Sequence, residues 1–184
     1  MKFVLPLLIS AAIAHAMPAQ AQEAGTTHQL TTIASLDVPR YMGRWYEIAK
    51  FPNRFQRDCV SDTTATYSVL PDGRVKVVNR CRQADGSEKS ADGVARQLGD
   101  ATSPKLEVRF APAILSFIPM VWGDYWIIDL DPDYQLAAVS DRKGKYLWIL
   151  SRTPTVDKTA YDALVGRLAA QGLDVAKLEA TPHR

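Results

Sequence analysis

The sequence predicts an all-β protein: one eight-stranded antiparallel up-and-down β-barrel, with a short helical turn before it and a C-terminal α-helix packed outside. Three observations predict it. Eight short runs of alternating or β-rich composition recur at close spacing, turn-forming residues separate them, and a single helical pattern follows the last run. At 184 residues the chain is long enough for one domain with a sizeable core and short for two.

The elements follow in order. Lys2, an apolar run over 3–14 and the small-residue sites Ala14-His15-Ala16 and Ala19-Gln20-Ala21 read as a secretory signal over 1–21. The apolar run is short for a bilayer span. Export to the periplasm is expected, with peripheral contact at the outer membrane open. No cysteine precedes Cys59, so a lipid-anchored N-terminus is not expected. Residues 22–35 are small and polar and are expected to be loose, 36–178 form the domain, and 179–184 are a tail. The strand runs are 45–51, 63–70, 74–81, 93–97, 105–110, 125–130, 134–140 and 146–151. Turn chemistry divides them at Pro71-Asp72-Gly73, Asp85-Gly86, Asp131-Pro132-Asp133 and Lys143-Gly144. Thr155 or Asp157 can cap the helix, Tyr161, Leu164, Val165 and Leu168 make its apolar stripe, and Gly172 ends it.

Three motifs carry a family resemblance. Gly43-Arg44-Trp45-Tyr46-Glu47-Ile48-Ala49 opens the first strand, Asp129-Leu130-Asp131-Pro132-Asp133-Tyr134 precedes the seventh, and Tyr146-Leu147-Trp148-Ile149-Leu150-Ser151-Arg152 ends the eighth. In this order they resemble the lipocalins, and with Phe51-Pro52-Asn53-Arg54-Phe55 they resemble the branch of bacterial lipocalins, apolipoprotein D and plant temperature-induced lipocalins. The resemblance runs from about Leu36 to Leu178. It implies that Trp45 and Arg152 meet at a closed barrel end, and that the cup holds a small hydrophobic ligand, a fatty acid or lysophospholipid. Transport or storage of that lipid in support of membrane maintenance follows as the expected role, with Tyr125 and Trp148 as ligand contacts.

Strand parity extends the site. With Trp45 and Arg152 inward, Glu47 and Ala49 share their face, as do Ala65, Tyr67, Val69, Val75, Val77, Asn79, Leu106, Val108, Phe110, Tyr125, Ile127, Leu136, Ala138, Tyr146, Trp148 and Leu150. Ala65, Tyr67, Tyr125, Leu136, Ala138, Tyr146 and Trp148 are the expected ligand lining. The alternatives are a cavity for an acyl chain and a barrel filled by its own side chains, the second suiting a protein-interaction module.

Between the fifth and sixth strands, residues 112–122 form an apolar run with two prolines where a polar turn is usual. Ile114, Leu115, Phe117, Ile118 and Trp122 are expected either to touch membrane, as the resemblance to the plant proteins implies, or to fold over the rim or join two copies in a homodimer. Cys59 and Cys81 are expected to form a disulfide in an oxidising compartment, the alternative being two buried thiols.

Several function classes drop out. The net charge of +2 does not argue for nucleic acid. His15 and His28 precede the domain and His183 ends the chain, so a nucleophile–histidine arrangement inside the barrel is not expected, nor is a metal site or a cofactor. Glu47 is left as either an acid–base group or a partner of Arg152 or another cation.

Overall fold

The computed structural model describes residues 30–184; the leader, its cleavage site and residues 22–29 lie outside them. Helix α1 is one turn, Val38–Tyr41, capped by Asp37, whose carboxylate accepts from Arg40 N at 3.1 Å, with Pro39 in its first turn. Eight antiparallel strands follow: β1 Gly43–Lys50, β2 Ser61–Val69, β3 Val75–Arg82, β4 Glu88–Gln97, β5 Lys105–Arg109, β6 Gly123–Leu130, β7 Leu136–Ser140 and β8 Leu147–Ser151. Each pairs with the next, and β1 pairs with both β8 and β2, which closes the barrel. Helix α2, Lys158–Ala170, takes Asp157 as its N-cap and lies outside the wall.

The C-terminal residues, expected as a tail, belong to the sheet. Strand β9, Glu179–Ala180, pairs with Ala49 and Lys50 where β2 has parted from β1. Pro182 O accepts from Asp62 N, and Arg184 N donates to the Asp62 carboxylate, so the tail bridges the seam between β1 and β2. The N-terminal approach is similarly ordered from Leu30, which is buried, and Ile33 N donates to Ile127 O at 3.1 Å. Cys59 and Cys81 form a disulfide that ties the loop after β1 to β3.

The core has two layers. One fills the barrel and includes Trp45, Tyr67, Val75, Val77, Leu106, Ile127 and Leu150. The other lies between the wall and α2 and includes Trp126, Ile128, Leu147, Ile149, Leu164 and Leu168. Two parity expectations are corrected by this second layer. Strand β7 is buried at all five positions, because the interior takes one face and α2 the other. No alternation survives to be read, and Leu136 and Ala138 sit in the outer layer, whereas Ala137 and Val139 face inward. In β1 a register shift between Glu47 and Ala49 against β8 puts Ala49 in the outer layer too.

Candidate functional site

The closed end is built on Trp45. Its ring is fully buried, and its Nε1–H donates to Tyr41 O at 2.9 Å. The Arg152 guanidinium lies 3.9 Å from the ring centroid and donates to three backbone carbonyls, Arg40, Arg44 and Tyr134, at 2.9, 3.0 and 3.2 Å. Gly43 is required beside it: its φ is +96°, and a Cβ there would stand 3.3 Å from Arg152 Nη1. Arg152 does not meet Glu47, the carboxylate that sequence offered as its partner; carbonyls of α1, of β1 and of the turn before β7 take its donors instead.

Three tyrosines cross the barrel above this plug. Tyr125 Oη lies 3.0 Å from Tyr41 Oη and 2.9 Å from Tyr67 Oη. Burial pushes the Tyr67 hydroxyl up to about 12 and those of Tyr41 and Tyr125 well above the ordinary tyrosine value, so all three remain protonated hydroxyls. Around their rings lies a void of about 20 Å3, walled by apolar side chains including Leu36, Val75, Val77 and Leu106, which is about the room of one water molecule. The closed half is packed.

The other half is lined differently. Ala65, Ala91 and Gly93 are small residues of the inner face, and Ala91 is solvent-exposed although it pairs with inward Asn79. Phe110 lies over Gly93, where a Cβ would come within 2.8 Å of its ring. Trp148 and Tyr146 stack at 5.9 Å, and Phe55 meets Tyr146 at 5.5 Å, so the mouth is aromatic. Gln56 reaches in from the loop after β1. Its Oε1 accepts from Trp148 Nε1–H at 2.9 Å and from Asn53, and its amide donates to the Glu47 carboxylate. Thr181 of the C-terminal segment donates to the other Glu47 oxygen at 2.6 Å. Burial outweighs these donors and holds the Glu47 carboxyl above its ordinary value. His183 also arrives here, its Nε2 2.8 Å from Glu47 O and its ring edge-on to Tyr46.

Of the expected lining, then, Ala65, Tyr67, Tyr125 and Trp148 gather on the interior, Tyr146 sits at the rim, and Leu136 and Ala138 lie outside under α2. The apolar loop makes two 3₁₀ turns, Ala113–Leu115 and Pro119–Val121. Ile114, Phe117 and Met120, three residues apart, form an exposed row, while Leu115 and Ile118 are half-buried. Trp122 does not join that row. It is held on the outer wall between Arg96 and Arg109, 4.2 and 5.3 Å from its ring centroid, and donates to Ser116 O.

Residues 36–183 match a family model described as a lipocalin-like domain. The chain belongs to the lipocalin family. This lipocalin is 42% identical over 157 residues to temperature-induced lipocalin-1 of Arabidopsis thaliana, covering 84% of this chain and 83% of that one. It is 37% identical over 149 residues to outer membrane lipoprotein Blc of Escherichia coli (strain K12), covering 80% of each. Apolipoprotein D of Rattus norvegicus is 32% identical over 151 residues, covering 78% of this chain and 75% of its own. Among solved structures, insecticyanin of the tobacco hornworm Manduca sexta superposes with a TM-score of 0.64 at 18% identity, covering 83% of each chain, a likeness of fold.

Sequence reading of this lipocalin missed Tyr41 and Gln56. Tyr41 precedes the first strand and enters the interior only because α1 folds across the barrel end. Gln56 lies in a polar loop with no period to betray which way it points. The usable signal for Tyr41 was the Asp37 cap with Pro39: the turn they start sets Val38 and Tyr41, three residues apart, on one buried face.

Proposed function

We propose that this lipocalin is a binding protein, not an enzyme, that takes up a lipid of the fatty acid or lysophospholipid class in the open half of its barrel. The carrying observation is the contrast within one inner face: a sealed, packed floor, then a mouth of small residues and aromatic rings. Each methylene that leaves water there contributes about 0.8 kcal/mol. Trp148, fixed by Gln56, supplies a rigid wall for the chain. Glu47 is buried, but its partners are an amide and a hydroxyl, and His183 meets a backbone carbonyl, so neither is set up as half of an acid–base pair.

The names of the relatives support the setting. One is a temperature-induced lipocalin and another an outer membrane lipoprotein, which favours a role at the cell envelope, exported and concerned with membrane upkeep under stress. The exposed Ile114, Phe117 and Met120 row suits transient contact with a lipid surface, or failing that a second copy. One observation favours a different reading, a protein-interaction module with a filled barrel: the closed-end void is only about 20 Å3.

Native mass spectrometry of protein purified without detergent, followed by organic extraction, separates the two. A stoichiometric fatty acid or lysophospholipid is expected. An empty barrel that also fails to bind added fatty acids would transfer the case to the interaction module.

A further inference from the structure

The tyrosine chain carries one proton too many. Three hydroxyls supply three protons and are joined by two hydrogen bonds, so one O–H has no acceptor among the described residues, whichever way the chain is oriented. Tyr41 and Tyr67 are more than nine-tenths buried, and the void beneath offers only apolar walls and the tyrosine rings. One step nearer the mouth, Asn79 Oδ1 is buried and unpartnered; it follows Val77, which pairs directly with Tyr67 across β2 and β3. Above this level the cup becomes aromatic, with Phe110, Tyr146 and Trp148, and the exposed apolar loop extends beyond. The polar groups at the mouth, Gln56 and Glu47, are satisfied by each other, Trp148 and Thr181, so the hydrogen-bonding capacity left over in the cup lies at this inner level. Among the described residues no free cation faces this level: Arg152 stacks on Trp45 at the closed end and gives its donors to backbone carbonyls.

We propose that the ligand enters polar end first, and that it is a single-chain lipid with a small uncharged carbonyl head, a fatty amide or a protonated fatty acid. Its carbonyl oxygen accepts the surplus tyrosine proton, its N–H or O–H donates to Asn79 Oδ1, and its chain runs outward along the aromatic mouth. This rests on the carrier reading and narrows it, since a lysophospholipid head is too large and too charged for this position.

The test is titration of the protein with dodecanamide, methyl dodecanoate and dodecane. The amide has both donor and acceptor, the ester only the acceptor, the alkane neither. Wild-type protein is expected to bind the amide about tenfold more tightly than the ester. Asn79→Leu should erase that preference. Replacing Tyr41, Tyr67 and Tyr125 together by Phe removes every hydroxyl and every bond at once, which leaves no orphan and keeps the fold. That triple variant should lose about tenfold for both amide and ester, with dodecane unchanged as the control for an intact cup. Tyr67→Phe alone leaves two protons and one bond, still one over, and should change little. In the bound state, nuclear Overhauser contacts of the chain's terminal methyl should fall on Phe110 and Trp148. Contacts to Val77 or Leu106 would place the tail at the floor and overturn the proposal, as would equal amide and ester affinities. If none of the three compounds binds, the carrier reading falls and takes this one with it.

Discussion

The two ends of this barrel are built on opposite rules. At the closed end every strong donor has an acceptor on the backbone: Trp45 bonds Tyr41 O, Arg152 bonds three carbonyls, and the indole and guanidinium stack. The indole and guanidinium keep no donor for a ligand. At the open end polar groups are chained to one another through side chains, Trp148 to Gln56 to Glu47 to Thr181, and large apolar groups stand in solvent. The first arrangement fixes a fold. The second can be rearranged at small cost, which is what a mouth requires.

Substitutions can sharpen that contrast. The largest effect is expected at the plug: Trp45→Ala removes a fully buried ring and should lower stability by about 3–5 kcal/mol in chemical denaturation. A loss under 1 kcal/mol would mean that the plug does not hold the barrel together. Arg152→Ala should cost about 2 kcal/mol, from the lost stacking and the three unpaired carbonyls, with little change in ligand affinity. An abolished affinity at unchanged stability would break the division between the two ends.

At the mouth, the effect should depend on pH. Burial holds Glu47 above its ordinary value of 4.5, so the folded protein keeps that proton to higher pH than the unfolded chain does. Stability from this group is present in acid and is lost as pH rises from about 4.5 through the raised folded value. Glu47→Gln cannot ionise, so its melting midpoint relative to wild type should climb across that range. A flat difference would show that the carboxyl is not destabilised by burial. The smallest effect on stability should come from Phe117→Ser with Ile118→Ser, within about 0.5 kcal/mol, while co-sedimentation with liposomes falls. Unchanged co-sedimentation would turn attention to a dimer.

Legibility from sequence followed the same divide. The plug was visible because Gly43, Trp45 and Arg152 sit in motifs whose residue types have few other uses together. Interior parity was readable in β2, β3 and β5, where one face of the strand is covered and the other wet. It failed in β7, covered on both faces, and at Ala49, where a bulge resets the count. The mouth was least readable, since Gln56, Thr181 and His183 meet Glu47 across separations of 9, 134 and 136 residues, and no local pattern encodes that. Trp122 looked like part of an apolar loop surface, but two arginines on the neighbouring wall claim its ring.

Strand β9 has a consequence for how the molecule is made. Residues 179–184 bridge β1 and β2, so this stretch of wall is completed by a segment that follows all eight barrel strands in the sequence. Closure of this seam is a long-range pairing, separate from the β1–β2 pairing over Gly43–Tyr46 that closes the barrel itself. Without that segment the barrel would keep its β1–β2 closure at Gly43–Tyr46 but expose an unpaired edge at Ala49 and Lys50, the kind of surface that recruits chaperones or other strands. Truncation before Glu179 would leave that edge permanently bare.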